Sequence, residues 1–145
     1  MRVAVTGAAG FVGQAVCEYL TEKGYDVVAI SRNPKGLSAA STISMDLVSC
    51  ESLNEICAAL KDCDAVIHTI GLAHGTNRDK SQTSLDFERV NVHCAEKITR
   101  ACVIVNAKTL VYLSSIKAVG EYSALDASGD PVRLTDHVSP QPEDD

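Results

Sequence analysis

Residues 2–13 read Arg2-Val3-Ala4-Val5-Thr6-Gly7-Ala8-Ala9-Gly10-Phe11-Val12-Gly13. The first half is the apolar run of a buried strand, and the second half is a GxxGxxG turn that opens a helix. Such a turn aims the free N–H groups of the helix at a pyrophosphate. Gly7 and Gly10 lack side chains that would block the phosphates, and Gly13 lets the helix pack closely on the strand. The stretch predicts a dinucleotide-binding turn; the alternative is a structural glycine turn in another α/β protein.

The residues after the turn complete a strand-turn-helix-strand unit. The helix ends at Gly24, where a left-handed cap is expected. A second strand at 26–30 is a continuous apolar run, typical of a strand covered on both faces. The apolar stripe that predicts the helix consists of Val12, Val16, Tyr19 and Leu20.

Composition narrows the class of protein. The chain has 145 residues, 46% of them hydrophobic, which suits one core and one domain. Its net charge is −6 and its sequence pI is near 5.1, without a basic stretch, which argues against a nucleic-acid partner. The apolar stretches are too short for a membrane span, and no signal-peptide core precedes Gly7. We therefore expect a cytoplasmic protein with no membrane partner.

The six cysteines and four histidines do not form a recognisable ligand set. The cysteines contain no CxxC pair, and several fall in predicted helices, so we expect free thiols. No histidine pairs with a cysteine at metal-ligand spacing, so no metal site is predicted. His68 ends a predicted strand and is expected to approach the cofactor.

Strands and helices alternate along the remaining chain. This alternation predicts an α/β fold with a Rossmann-like, doubly wound parallel sheet of about five strands in the order 3-2-1-4-5. The remaining predicted elements are a strand at 42–45, a helix at 51–60 capped by Ser49 or Ser52, a strand at 64–68, a long helix at 83–105 and a strand at 110–113.

The long helix carries two apolar stripes. The first predicts the core face and consists of Val90, Cys94, Ile98, Ala101, Cys102 and Val105. The second, Val92, Ala95, Thr99 and Val103, is too apolar to be left in water. It predicts a partner helix, from this chain or from a second copy in a homodimer. Residues 121–145 hold three prolines and seven acidic residues, so we expect a nucleotide-binding domain at 1–120 and an irregular tail.

Five segments, in this order, resemble the extended short-chain dehydrogenase/reductase family, in particular its NAD(P)-dependent nucleotide-sugar epimerase/dehydratase branch. They are Thr6–Gly13, similar to TGxxGxxG; Asp46-Leu47, similar to an adenine-contacting Asp-Leu; Asp64–His68, similar to the fourth strand; Arg89–Val92, which contains an active-site Asn; and Leu113–Glu121, the exit of the fifth strand with Ser115 as the catalytic hydroxyl. The resemblance places the cofactor against Gly7, Ala9, Gly10, Phe11, Val12, Gly13, Ser31, Arg32, Asp46, Leu47, Thr69, Ile70, Gly71 and Asn91.

The resemblance also implies a reaction. A hydroxyl of a nucleotide sugar would be oxidised reversibly, with hydride passing to the nicotinamide and a Tyr acting as general base. Ser115 would hydrogen-bond the reacting oxygen, and a Lys would lower the pKa of the Tyr and hold the ribose.

The Tyr-x-x-x-Lys of that family has one match in this sequence, Tyr19 with Lys23. It falls in the first helix, where we expect Tyr19 in the core and Lys23 in solvent. We therefore predict a chain that stops before its catalytic base and is incomplete relative to the family. The alternative is a non-catalytic module that binds or senses NADP(H).

Ser31 and Arg32 stand where many NAD-binding relatives have an acidic residue. No carboxylate is present to repel a 2′-phosphate, and Arg32 could pair with it, which favours NADP(H) over NAD. The alternative is an exposed loop arginine that contacts nothing.

Overall fold

A computed structural model describes residues 1–72, 84–114, 122–125 and 131–133. The chain divides into two compact units, Met1–Leu113 and Ser114–Asp145. The limits predicted from the sequence, 1–120 and 121–145, stay a prediction.

The first unit is a five-stranded parallel sheet flanked by helices. The strand order is β3-β2-β1-β4-β5, which confirms the predicted Rossmann-like topology. The elements are β1 (Arg2–Thr6), α1 (Phe11–Glu22), β2 (Asp26–Ser31), β3 (Ser41–Ser44), α2 (Leu53–Ala59), β4 (Ala65–His68), α3 (Ser84–Phe87), a π-helical segment (Glu88–His93), α4 (Cys94–Ile104) and β5 (Thr109–Tyr112).

The central strands are buried on both faces, as their continuous apolar runs predict. Val5 and Val27 belong to the cluster on one face, together with Cys17 of α1. Val28 and Val66 belong to the cluster on the other face, with residues of α2 and α4. All six cysteines are free, as expected. Burial raises the pKa of the Cys94 thiol to about 11, so this thiol stays protonated.

The buried face of α1 includes only part of the predicted stripe, since Val16 and Leu20 pack against the core cluster. Gly13 and Cys17 are fully buried, whereas Val12 is exposed and Tyr19 is 59% exposed. The expectation that Tyr19 lies in the core is therefore wrong. The cause is the close approach of Gly13 to the glycine turn, which rotates the face centred on residues 13 and 17 towards the sheet. The helix ends at Gly24, whose φ of +79° confirms the predicted left-handed cap.

The long helix is interrupted by a π-helical segment, whereas the sequence predicts a regular α-helix over 83–105. The predicted core stripe holds from residue 94 onward, where Cys94, Ile98, Ala101 and Cys102 are buried. The second stripe stays exposed at Val92 and Val103. In α2, Ser52 rather than Ser49 is the cap, because its hydroxyl accepts a hydrogen bond from the N–H of Glu55 at 3.3 Å.

Within the second unit, the structure describes an antiparallel pair of strands, β6 (Tyr122–Leu125) and β7 (Pro131–Arg133). The sequence predicts a mostly irregular tail over 121–145 and does not reveal these two strands, because strands this short leave no measurable period in the sequence. None of the helices that the structure describes combines the length and the apolar character needed to cross a membrane.

Candidate functional site

The carboxyl ends of β1, β2 and β4 meet at one edge of the sheet, where ligands bind in parallel α/β folds. The N–H groups of Gly7 and Ala8 both donate to the carbonyl of Ile30, at 3.0 and 3.2 Å. On the other side, the N–H of Thr69 donates to the carbonyl of Thr6 at 3.1 Å. The glycine turn is thus held between the exits of its two neighbouring strands.

Close neighbours require glycine at residues 7 and 13 of the turn and leave little space at Gly10. Gly7 has a φ of +75°, and a Cβ there would lie 2.8 Å from Oγ1 of Thr69. A Cβ on Gly10 would lie 3.2 Å from the carbonyl oxygen of Gly7. A Cβ on Gly13 would collide with that same oxygen and lie 2.8 Å from Cα of Ala8. Packing within the turn therefore requires glycine at residue 7, in addition to the phosphate access inferred from the sequence.

The first turn of α1 opens at this edge. Gly10 is its N-cap and makes no side-chain capping bond. The first N–H groups of a helix have no partner within the helix, and they carry the positive end of its dipole. An anion such as a pyrophosphate satisfies both the N–H groups and the dipole. Phe11, at the first position of α1, is exposed.

Ser31 and Arg32 leave β2 beside the glycine turn. The Ser31 side chain is buried, and its Oγ has no hydrogen-bond partner among the described residues. A buried hydroxyl of this kind is expected to have a partner, and a ribose hydroxyl is one that fits. Arg32 is exposed, while its carbonyl accepts a hydrogen bond from the hydroxyl of Ser44 at 3.1 Å.

Asp46 and Leu47 form a turn after β3. Oδ1 of Asp46 accepts hydrogen bonds from the N–H groups of Val48 and Ser49, at 3.1 and 3.4 Å. Leu47 is buried in the core. Lys97 of α4 reaches this turn and donates from Nζ to the carbonyl of Val48 at 3.1 Å.

Thr69, Ile70 and Gly71 leave β4 next to Gly7. The Thr69 hydroxyl donates to the carbonyl of Thr6 at 2.8 Å. Asn91, in the π-helical segment, pairs with the backbone of Leu72. Its Oδ1 accepts from the N–H of Leu72 at 2.7 Å, and its Nδ2 donates to the Leu72 carbonyl at 2.9 Å. A single side chain thereby joins the long helix to the exit of β4.

A row of three side chains crosses the strand ends at equal register: Thr6, His68 and Tyr112. The Thr6 hydroxyl and Nδ1 of His68 are hydrogen-bonded at 2.6 Å. The His68 and Tyr112 rings stack with centroids 5.6 Å apart. The Tyr112 hydroxyl donates to the carbonyl of Asn91 at 3.2 Å. The sequence analysis does not identify Thr6 and Tyr112 as side chains of this edge. The pattern that could have identified them is that Thr6, His68 and Tyr112 each stand at the end of a strand.

Burial lowers the pKa of His68 to about 4, so this imidazole is neutral at physiological pH. Its Nε2 has no hydrogen-bond partner among the described residues. The neutral ring therefore acts through its contacts with Thr6 and Tyr112 and does not contribute a charge to the edge.

The structure thus brings the predicted cofactor residues to one edge of the sheet. Ser115 lies outside the described residues. The Tyr19–Lys23 pair lies at the C-terminal end of α1, away from this edge, with Nζ of Lys23 5.4 Å from the centroid of the Tyr19 ring. An exposed cation–π pair of this kind stabilises a helix end and supplies no base to the site.

Three comparisons with known proteins bear on this arrangement. Residues 3–141 match the sequence profile described as "NAD dependent epimerase/dehydratase family". A Petunia hybrida cinnamoyl-CoA reductase 1 is 31% identical over an alignment 148 residues long, gaps included, which covers 94% of this chain and 40% of the relative. The vaccinia virus (strain Copenhagen) 3 beta-hydroxysteroid dehydrogenase/Delta 5-->4-isomerase is 27% identical over 141 residues. The alignment covers 93% of this chain and 38% of the viral protein.

Among solved structures, the chain is similar to MoeE5 in complex with UDP-glucuronic acid and NAD. The TM-score is 0.71 and the identity 29%, over 92% of this chain and 44% of MoeE5. The chain therefore spans less than half the length of these similar proteins.

Proposed function

The chain belongs to the NAD dependent epimerase/dehydratase family, and from this premise we propose that it is the NAD(P)-binding portion of an oxidoreductase. The reaction is hydride transfer at a hydroxyl-bearing carbon of a nucleotide sugar. The observation that carries the proposal is the glycine turn, in which Gly7 and Gly13 have no space for a side chain and which leads into a helix N-terminus without a side-chain cap.

Dinucleotide binding is supported by groups at the exits of four strands, β1 to β4. The first turn of α1 supplies N–H groups for the pyrophosphate. The hydroxyl of Ser31, which has no hydrogen-bond partner within the part of the chain that the structure describes, suits a ribose hydroxyl. The Asp46–Leu47 turn would receive the adenine, and residues 69–71 would lie towards the nicotinamide end. Once bound, the nicotinamide would accept and return the hydride.

The substrate class is supported by MoeE5, which binds UDP-glucuronic acid. The similarity to MoeE5 extends over 92% of this chain. The dehydrogenase and reductase names of the curated relatives agree with an oxidoreductase. Ser115 would hydrogen-bond the reacting oxygen. Asn91 would hold the loop after β4 through Leu72.

Binding is tested with Gly10→Ala. Gly10 has an ordinary φ of −74°, so alanine adds no backbone strain. Its Cβ would push against Gly7 and displace the turn. We expect NAD(P) to raise the thermal midpoint of the parent chain, and Gly10→Ala to weaken binding about tenfold, the value of one charge-assisted hydrogen bond.

Gly24→Ala is the matched control, because it strains the other end of α1, where φ is +79°, without touching the turn. It should lose stability and keep its affinity. Equal affinity in Gly10→Ala and the parent, or a parent that neither NAD nor NADP(H) stabilises, would contradict the proposal.

We propose further that the cofactor is NADP(H) rather than NAD. Arg32 is exposed beside the exit of β2, and the neighbouring Ser31 carries no charge to repel a 2′-phosphate. Arg32→Ala should weaken NADP(H) binding about tenfold and leave NAD unchanged, as measured by calorimetric titration. Lys35→Ala, which removes an exposed cation three residues along, is the control. Equal losses for both cofactors in Arg32→Ala would refute the preference.

A second candidate is a non-catalytic NADP(H)-binding or sensing module. Within these 145 residues the one Tyr-x-x-x-Lys is Tyr19 with Lys23, which lies at the C-terminal end of α1 and away from the strand exits. The coding sequence downstream of codon 145 separates the two candidates. A segment that encodes a Tyr-x-x-x-Lys there supports the oxidoreductase, whereas an immediate stop followed by unrelated sequence supports the module.

A further inference from the structure

Lys97 of α4 forms an unusual contact with the turn that follows β3. Its Nζ donates to the carbonyl of Cys50 at 2.7 Å and to that of Val48 at 3.1 Å. The side chain is only 18% exposed, and the nearest carboxylate among the described residues, that of Glu51, is 3.9 Å away and 89% exposed. A largely buried ammonium is thus held mainly by two backbone carbonyls.

The turn over residues 46–50 is also fastened from within. The carboxylate of Asp46 accepts from the N–H groups of Val48 and Ser49, and the N–H of Cys50 donates to the carbonyl of Asp46 at 2.8 Å. Leu47 is anchored in the core. Val48 belongs to both sets of bonds, because its N–H binds Asp46 and its carbonyl binds Lys97.

Val48 thus connects Lys97 to the Asp46 carboxylate. The hydrogen bonds that this carboxylate accepts from the described residues end on Oδ1. Oδ2 remains an acceptor for a ligand. A carboxylate in a fixed position accepts from an amino group and repels a carbonyl oxygen.

We propose that Lys97 is a positioning residue that sets the selectivity of the cofactor site for adenine, through the turn over residues 46–50. This inference rests on the proposed dinucleotide site and adds a contact, between Lys97 and the turn over residues 46–50, that controls the adenine end of that site. The 6-amino group of adenine donates to Oδ2 of Asp46, and Lys97 holds the turn so that the carboxylate is presented to it. Hypoxanthine carries an oxygen at this position and is rejected.

The test compares the affinities for NAD and for nicotinamide hypoxanthine dinucleotide, which differ at position 6 of the purine, an amino group against an oxygen, and at N1, which carries a proton in the analogue. The parent chain should prefer NAD about tenfold, as expected for a hydrogen bond to a carboxylate. Lys97→Met keeps the length of the apolar stem and removes the donors, so the ratio of the two dissociation constants should fall towards one. Lys97→Arg restores donors and should restore most of the ratio.

Lys108→Met is the matched control, because Lys108 is an exposed lysine whose Nζ lies 3.3 Å from Oδ1 of Asp64 at the other end of the sheet. It should leave the ratio unchanged. If Lys97→Met weakens both dinucleotides equally, Lys97 is merely structural and the inference is wrong. A parent chain that binds NAD without preferring it to the hypoxanthine analogue also overturns the inference, while leaving dinucleotide binding intact.

Amide hydrogen exchange of the unliganded chain supplies a readout that needs no cofactor. The amides of Val48, Ser49 and Cys50 should exchange faster in Lys97→Met than in the parent, with β1 unchanged. Unchanged exchange there would show that Lys97 does not hold the turn. Faster exchange in a chain that binds neither dinucleotide would instead refute the proposed function, and with it the selectivity, while leaving the mechanical role of Lys97 established.

Discussion

His68 shows at the scale of one residue how the fold changes a side chain's chemistry. It lies between Thr6 and Tyr112 at the ends of three strands. Its burial holds the pKa near 4, against 6.5 for a free imidazole. The folded state therefore favours the neutral ring, and unfolding below pH 6.5 takes up a proton.

This shift predicts a stability that depends on pH. The contribution of His68 is fully present above pH 6.5 and is lost as the pH falls towards 4, because the unfolded state then binds more protons. The loss in the free energy of unfolding should reach about 3 kcal/mol, because folding lowers the pKa of His68 from 6.5 to about 4. Urea unfolding of the parent at pH 7.5 and 4.5 measures it.

His68→Gln removes the titrating group and keeps a hydrogen-bonding partner for Thr6. This variant should lose much of the difference in stability between the two pH values. His93→Gln, which changes an exposed histidine, should behave like the parent. A His68→Gln variant as sensitive to acid as the parent would contradict the assignment.

At the scale of elements, the long helix departs most from its sequence. Apolar residues at helical spacing predict a helix from 83 to 105, and the backbone is helical from Ser84 to Ile104. The sequence does not predict the π-helical segment within it. One added residue in a helical turn displaces the apolar stripe too little for the change to be recognised in the sequence pattern. Asn91 in this segment joins the helix to the exit of β4 through its hydrogen bonds with Leu72. Leu72 is 19 residues away, and no local sequence pattern predicts a contact at that separation.

Asn91→Asp tests this junction. The carboxylate still accepts from the N–H of Leu72, but it loses the donor to the Leu72 carbonyl and faces that oxygen with negative charge. We expect a loss of about 1–3 kcal/mol in the free energy of unfolding. Chemical denaturation measures it, with Asn54→Asp on the exposed side of α2 as control. Equal stability of the two variants would exclude an energetic role for the pair.

At the scale of the molecule, the first unit presents apolar side chains on α4 and the π-helical segment. Val103 is 75% exposed and Val92 is 48% exposed. Exposed apolar patches of this kind mark interfaces. A homodimer through the long helix, expected from the second stripe, stays a prediction.

Val103→Lys tests that association. An ammonium at the centre of an apolar contact is costly to desolvate, so the variant should shift from dimer to monomer by more than tenfold in dissociation constant. Light scattering across a dilution series measures the shift. Asn54→Lys adds the same charge on α2 and should leave the association unchanged. A parent chain that is monomeric at all concentrations would contradict the predicted homodimer.

The sequence by itself determined the order of the elements, the sheet class and the glycine turn. These depend on signals within a few residues: apolar runs, helical spacing, and the left-handed glycine that ends α1. Only the tertiary structure decided which residues meet. Thr6 and His68 are 62 positions apart, and Lys97 lies 47 positions from Cys50. Such contacts follow from strand order and helix packing, which bring distant residues together at one edge.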